Sequence, residues 1–398
     1  MAIESPDKDL LDAYALLEGA QPEIAAYLKT HYQRYRTTLS FIGSGERLRI
    51  LDLGPAFAFD ALLSHRLPGS EIVLGCNNDP VSLQYFESLP GGRVELRSSR
   101  PDRFPHLSLP MHAFNAECDI WPFDSESFDL VLCMEMLEHL LMDPCFVFRE
   151  CHRVLKPGGR FVATVPNIAS MEGVVLILDN RAPYRYGPYS PHGPYGRHNR
   201  EYAAREVRAL GECSGFATEE LTTYNVYPFP FPLDLARQAL ANIPHDDPSL
   251  RNQTIFYKGQ KDGSPFRSYP EGLYEYDVPE RNALLRALRT DGRAMRVEAV
   301  NTGRRGWGTE TSLGIQLLDA QHNLRNADFL RVPLPCPVPP GGLAVLDFRV
   351  PDPGIGRFSV RLDMADAEGW FSAAPRGGTQ FAELPGRSPK PLVLDLGG

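Results

Sequence analysis

The chain has 398 residues, with 50 acidic side chains against 41 basic ones and a formal net charge of −9. With a pI near 5.6, that balance argues against a nucleic-acid polyanion as the main partner. The length allows two or three domains, each with a full core. The first ten residues are mostly polar and include three acids, unlike a secretory leader, and the apolar run Val174 to Leu178 is far too short to span a bilayer. Seven cysteines lie scattered without a C-x-x-C pair, which predicts reduced thiols in a cytoplasmic protein and no structural zinc.

Residues 8–42 carry apolar side chains at helical spacing, and Gly19 to Pro22 divides them into two helices. Leu48 to Leu53 reads as a strand, followed by Gly54-Pro55-Ala56-Phe57-Ala58-Phe59-Asp60 and a helix from about Ala61. Glu71 to Gly75 is a second strand, and Val81 to Leu89 a helix. Val94 to Leu96 and Ala113 to Ala116 bracket a region whose register the sequence leaves open. Phe128 to Cys133 is an apolar strand, and a helical stretch with Met136, Leu137, Leu140 and Leu141 follows. A helix from Pro144 to Leu155 ends at Lys156-Pro157-Gly158-Gly159, and Arg160 to Val165 is another strand. Two buried strands joined by helix form a parallel crossover, so the predicted class is α/β with a doubly wound, Rossmann-like sheet that binds its ligands at the carboxyl ends of the strands.

After Asn167 the composition changes. Residues 168–202 hold a short apolar helix and then a segment dense in Tyr, Pro, Gly, His and Arg, a composition that lines pockets with hydrogen-bonding rings. Tyr186, His192, Arg197 and Tyr202 are its candidate substrate contacts, and His198 leads His192 as a base. A helix from Ala203 to Gly211, a strand from Ala217 to Tyr224, a short helix within Pro228 to Pro244 and a strand from Gln253 to Gly259 complete the first domain. Lys261 to about Gly292 reads as a polar connector with a short helix. From Ala294 onward, strands alternate with Gly/Pro turns: Met295 to Asn301, Ser312 to Asp319, Phe329 to Leu334, Leu343 to Val350, Arg357 to Met364 and Gly369 to Ser372. That spacing predicts an all-β, immunoglobulin-like antiparallel sandwich. The expected division is a first domain over 1–262, with N-terminal helices in 1–45 and a lid over 168–202, a linker over 263–292 and a sandwich over 293–398.

Asp119, Pro122-Phe123, Ser127-Phe128-Asp129, Leu137-Glu138-His139, Leu155-Lys156-Pro157-Gly158-Gly159 and Val165-Pro166-Asn167 occur in this order and at regular gaps. Together they resemble the second half of class I S-adenosylmethionine (SAM)-dependent methyltransferases. The resemblance implies that Asp52, Gly54, Pro55 and Ala58 form the turn against the methionine part of the cofactor, with Ala58 standing where the family has a glycine. It implies an acid at the end of the second strand for the ribose; Asn77 takes that register, and Asp79 is the alternative. Asp119 and Ile120 fall at the adenine contacts. Glu135, a further cofactor contact, and His139 share a helical face in this reading and make a candidate base. In some relatives that cluster binds a divalent ion, but no metal is assigned to it here. The R-H-N-R-E-Y run of residues 197–202 resembles a subset associated with glycan assembly. The segments around Trp307, Val338 to Gly342 and Trp370 resemble the carbohydrate-binding sandwich of O-antigen polysaccharide exporters.

The expected function is therefore SAM-dependent methyl transfer to a hydroxyl of a sugar or glycosylated metabolite, a small-molecule or glycan substrate, with no membrane partner and self-association through the sandwich. Two alternatives stay open at this stage: N- or C-methylation of a secondary metabolite, and a non-catalytic binding protein on a degenerate methyltransferase fold.

Overall fold

The computed structural model describes residues 6–15, 22–43, 47–76, 92–190, 194–228, 232–241, 243–263, 266, 268–274, 277–373, 378–381 and 392–396. The predicted helix Val81 to Leu89 and the residues Asn77, Asp79 and His192 lie outside them.

An eight-stranded sheet organises the first part of the chain. Its strands are β1 (Arg49–Leu53), β2 (Glu71–Cys76), β3 (Arg93–Leu96), β4 (Leu107–Ala113), β5 (Phe128–Met134), β6 (Leu155–Pro166), β7 (Phe216–Tyr224) and β8 (Thr254–Lys261), in the order β3-β4-β2-β1-β5-β6-β8-β7. β4, β2, β1, β5 and β6 run parallel, while β8 is antiparallel to both β6 and β7. β1 and β5 are buried almost throughout, which is why they read as continuous apolar runs rather than alternating ones. Because β1 lies between β2 and β5, the strand order reverses there, and its carboxyl tip opens on the crevice where such sheets hold ligands.

Helices α1 (Pro6–Ala15), α2 (Pro22–Ile42) and α3 (Phe57–Arg66) share a hydrophobic cluster with one face of the sheet, through Leu10, Tyr35, Phe59, Leu62, Ile72 and Leu132 among others. On the other face α4 (Pro144–Val154) and α6 (Ala204–Cys213) pack over Val131, Phe148, Phe161 and Tyr257. α5 (Met171–Leu178), capped by the Ser170 hydroxyl accepting from the Gly173 N–H at 3.1 Å, packs with α7 (Asp234–Leu240).

The predicted helix after β5 is instead a single 3₁₀ turn, Leu137–His139. Glu135 stands in the left-handed region (φ 53°), which takes it out of any helix and removes the face-sharing expected of Glu135 and His139.

Nine more strands follow among the described residues: β9 (Asn282–Asp291), β10 (Ala294–Asn301), β11 (Ser312–Asp319), β12 (Leu324–Pro333), β13 (Leu343–Arg349), β14 (Phe358–Asp366), β15 (Gly369–Trp370), β16 (Gly378–Phe381) and β17 (Leu392–Leu396). One sheet is ordered β13-β10-β9-β16 and the other β12-β11-β14-β15, with β17 added to β14. Pairing is antiparallel except between β16 and β9, and the two sheets share a core of Val297, Ile315, Leu346, Val360 and their neighbours. β9 corrects the expected linker: its residues pair with β10 instead of connecting domains. Trp307 is buried in this core.

Ile120, Phe146, Leu284 and Val300 form a small buried cluster joining the first part of the chain to β9 and β10. Arg149 of α4 reaches across as well, donating to the Thr302 carbonyl at 3.2 Å. All seven cysteines are free thiols. No helix among the described residues is long and apolar enough to cross a membrane.

Candidate active site

Asp52, the last residue but one of β1, is fully buried, and the chain turns at Gly54. Gly54 has φ 68°, a conformation a side chain adopts only under strain, and its N–H donates to the Gly75 carbonyl at 2.9 Å, tying the turn to β2. Pro55 and Ala56 complete the turn, and α3 begins at Phe57. Ala58 therefore lies inside the first helical turn, 2% exposed, where alanine is well suited and no glycine is required. Phe59 is buried in the core against Tyr35, with ring centroids 5.1 Å apart, so it does not block the crevice.

Burial raises the Asp52 carboxyl to about 7, opposed by a hydrogen bond with the equally buried Asp60 and by the Arg34 guanidinium. Arg34 comes from α2 and is itself 2% exposed. Its Nη1 lies 3.9 Å from Glu135 Oε1 and its Nη2 is 3.2 Å from His31 Nδ1. Burial, then Arg34 and Arg185, push the His31 ring down to about 3, so it is neutral, and Tyr227 Oη lies 2.7 Å from its Nδ1. Glu135 directly follows β5, its N–H donating to the Thr164 carbonyl at 2.8 Å. A non-glycine residue in the left-handed region at a strand tip is the kind of local strain that accumulates at functional sites.

Glu138 and His139 follow in the 3₁₀ turn. The Glu138 side chain is fully buried, and neither of its oxygens has a hydrogen-bond partner from another described residue. Burial and then the Glu135 charge drive its carboxyl well above the usual carboxylate range. The His139 ring stands edge-on to the His198 ring, with centroids 5.0 Å apart. Burial, then His198, lower its pKa, while backbone hydrogen bonds to Arg197 and Tyr195 oppose them.

His198 arrives on the lid. Its Nδ1 is 3.1 Å from Glu201 Oε1, and its Nε2 is 4.0 Å from Glu138 Oε1. The lid is fastened to the same turn by backbone: the Asn199 and Arg200 N–H groups donate to the Glu138 carbonyl at 2.7 and 3.2 Å, and Asn199 Nδ2 donates to the His139 carbonyl at 2.8 Å. Glu117, which sequence reasoning missed, is a second fastening. Its carboxylate accepts from the Leu141 and Met142 N–H groups and from the Tyr195 hydroxyl at 2.9 Å.

The structure thus brings Asp52, Gly54, Glu135, Glu138, His139 and His198 to one end of the sheet. Asp119 accepts from the Asn115 N–H at 2.6 Å, and burial, its largest influence, raises its pKa. Ile120 does not fit the expected adenine wall, because its side chain is fully buried in the cluster with Phe146, Leu284 and Val300. Tyr202 does not fit the expected substrate role either: it is 2% exposed in the core, with its hydroxyl 3.4 Å from the Leu137 carbonyl. Arg197 is held by Asn199 Oδ1 at 2.8 Å. Tyr186 stays 40% exposed, its ring 4.5 Å from that of His198. It borders a cavity of about 520 Å³ lined also by Asn167, Glu172, Tyr184, Arg185 and Tyr227. In that wall Glu172 neutralises Arg185 at 2.9 Å, and the Arg185 guanidinium lies 4.3 Å from the Tyr227 ring centroid.

Residues 56–163 match the family described as "Methyltransferase domain". Over that stretch the chain is similar to class I SAM-dependent methyltransferase domains, enzymes whose cofactor is S-adenosylmethionine. Among relatives, it is 33% identical over 118 residues to a "Probable S-adenosylmethionine-dependent methyltransferase" of Mycolicibacterium smegmatis, a match covering 30% of this chain and 38% of that one. It is 56% identical over 41 residues to the ubiquinone biosynthesis O-methyltransferase of Pseudomonas syringae pv. tomato, covering 10% of this chain and 17% of that one. Both matches thus span well under half of the relative's length. Among solved structures, the 1,6-didemethyltoxoflavin-N1-methyltransferase of Burkholderia thailandensis, with bound 1,6-didemethyltoxoflavin and S-adenosylhomocysteine, aligns with TM-score 0.36 and 14% identity over 64% of this chain and 86% of that one. A SAM-dependent methyltransferase of Mesorhizobium loti aligns with TM-score 0.35 and 18% identity over 58% and 97%.

Proposed function

We propose that this protein transfers a methyl group from SAM to a hydroxyl of a sugar or glycosylated metabolite. The observation that carries the reading is the convergence of buried carboxyls at the tips of β1 and β5 with two imidazoles and a lid. Asp52 and Glu135 suit a ligand bearing an ammonium and a sulfonium, because a cation beside a desolvated carboxylate relieves the cost of ionising it. Gly54 lets the backbone approach that ligand, and Asp119 stands at the family's adenine position. The sulfonium supplies an activated methyl with its own leaving group. The chain therefore has to align an oxygen with that methyl, exclude water and accept one proton as the new bond forms.

In this reading His198 takes the proton. Glu201 holds its Nδ1, so Nε2 faces the inside of the cluster as an acceptor, and Tyr186 beside it connects the base to the cavity. The sugar reading rests on the tyrosines of that cavity and on its internally neutralised Glu172–Arg185 pair, which favour a neutral, hydroxyl-rich ring over an anion. The two-sheet unit from β9 onward is read as an immunoglobulin-like sandwich appended to this enzyme, with its start moved to Asn282. The test is calorimetry with SAM, followed by labelled-methyl transfer to a panel of sugar nucleotides and glycosides. The expected result is micromolar binding with transfer to at least one hydroxyl acceptor, and turnover that collapses in His198→Ala. Absence of SAM binding at millimolar concentration overturns the reading.

A further inference from the structure

Helix α5 is turned inside out. A surface helix ordinarily faces its apolar stripe to the core and its charges to water. α5 reads MEGVVLIL, yet the residues it buries are Glu172 and Gly173. Its aliphatic side chains stay partly or largely open to solvent, with Ile177 59% and Leu178 46% exposed. The cause is the wall of the cavity of about 520 Å³, where Arg185 at 2.9 Å and the Gln253 amide hold the Glu172 carboxylate inward. The exposed apolar surface gathers at the mouth of that cavity. Ile177, Leu178, Tyr184, Tyr186 and Tyr189 are all exposed within one short stretch, and a further exposed residue, Leu235, lies on α7, which packs with α5. Gly173 and Leu176 line the cavity, so one helix runs from its polar interior to this apolar rim, rising about 9 Å from Glu172 to Leu178. A contiguous patch rimmed by polar groups marks a binding surface, which scattered single residues do not.

We propose that the acceptor is an amphiphile, with a hydroxyl-bearing head in the cavity and a hydrocarbon tail laid along Leu176, Ile177 and Leu178 of α5. The charges on the two helices argue for a tail over a bilayer. Arg181 pairs with Asp179 at 2.8 Å and Arg237 with Asp234 at 3.0 Å, which leaves little basic excess here to hold an anionic membrane surface. A second copy of the chain fits poorly too, because so few side chains fall far short of the roughly 20–30 residues a side of a stable protein–protein interface. A chain attached to whatever occupies the cavity needs neither. It meets Leu176 at the rim and then the exposed end of the helix, and every methylene that leaves water there tightens binding. The proposal deepens the reading above and rests on it for the head, the part that methyl transfer requires in the cavity. The tail itself is recognised by burial alone, and α5 supplies the surface.

The test titrates the full chain with two probes by calorimetry, methyl β-glucoside and octyl β-glucoside, the latter kept below its micelle concentration. Octyl glucoside is expected to bind at least tenfold more tightly than methyl glucoside. Ile177→Ser combined with Leu178→Ser should remove that difference. Both side chains are exposed, so the core does not depend on them, and each single variant should lose part of the difference if the double variant fails to fold. Leu324→Ser, at a position 51% exposed on β12, should keep it in full. Equal affinity for the two glucosides, no binding of octyl glucoside up to its micelle concentration, or a difference retained in the double variant overturns the proposal. So does flotation of wild type with phosphatidylglycerol vesicles, or a dimer in sedimentation velocity, that the double variant abolishes, since the patch then belongs to a membrane or to a second copy. SAM calorimetry on the same samples reports separately on the methyltransferase reading, and SAM affinity should be the same in wild type and the double variant.

Discussion

Arg34 Nη1 lies 3.9 Å from Glu135 Oε1, and the guanidinium is the cation set against Asp52 as well. α2 is therefore part of the site and not only a cover for one face of the sheet. Removing the charge takes away the guanidinium that faces Glu135 and Asp52, the situation in which losing one partner of a buried pair costs about 3–5 kcal/mol. Arg34→Met should unfold at markedly lower urea concentration than wild type, and Arg34→Lys, which keeps charge but not the planar fork, should fall between them. Equal midpoints for all three would show that the guanidinium does not stabilise the cluster.

Asp52 links stability to pH with a definite sign. Its folded pKa, near 7, lies above the ordinary 3.8, so the folded state holds a proton that the unfolded chain has released between those values. Its contribution to stability is full below pH 3.8 and is lost as pH rises toward 7. Asp52→Asn removes that dependence while keeping the shape. The difference in melting temperature, variant minus wild type, should grow from pH 5 to pH 8. SAM affinity should fall at least tenfold in the same variant, about 1.4 kcal/mol. A difference that stays flat with pH would mean that the carboxyl is not held neutral.

Much of this architecture was legible because burial on both faces leaves a parallel strand no choice of composition: LRILDL and FDLVLC admit few other readings. β9 was not legible, since NALLRALRTD is rich in strong helix formers and becomes a strand only by pairing with β10. The turn after β5 was misread for a related reason. Its apolar spacing suits a helix, but the left-handed Glu135 and the lid's hydrogen bonds to the Glu138 carbonyl end it after three residues. Arg34 did leave a trace, as a charged residue within the buried stripe His31, Tyr35, Thr38 and Phe41 at helical spacing. The encounter of His198 with Glu138 left none, because it depends on how the lid folds back.

The turn after β1 gives a paired prediction about glycine. Ala58 sits in the helix, so Ala58→Gly should cost about 1 kcal/mol of stability through backbone entropy without improving SAM binding. Gly54 is the position that needs its φ of 68°, and Gly54→Ala should add about 1–2 kcal/mol of strain and weaken SAM binding. Calorimetry on both variants decides whether the alanine in the motif is an adaptation to the helix start or a lost cofactor contact. Tighter SAM binding by Ala58→Gly would favour the second.

The first part of the chain meets the C-terminal sheets through specific side chains. Phe146, 6% exposed, packs with Ile120, Leu284 and Val300, while Arg149 one helical turn on donates to the Thr302 carbonyl and pairs with Asp143 at 3.3 Å. Each side also has its own core, and this seam joins the two. Phe146→Ala removes a buried ring, a loss of about 3–5 kcal/mol, from the seam while sparing both cores. Scanning calorimetry should show one transition in wild type and two in the variant, the lower one moving with SAM and the upper one indifferent to it. A single transition displaced to lower temperature would mean that the two parts unfold as one body and that the seam is as much a core as either.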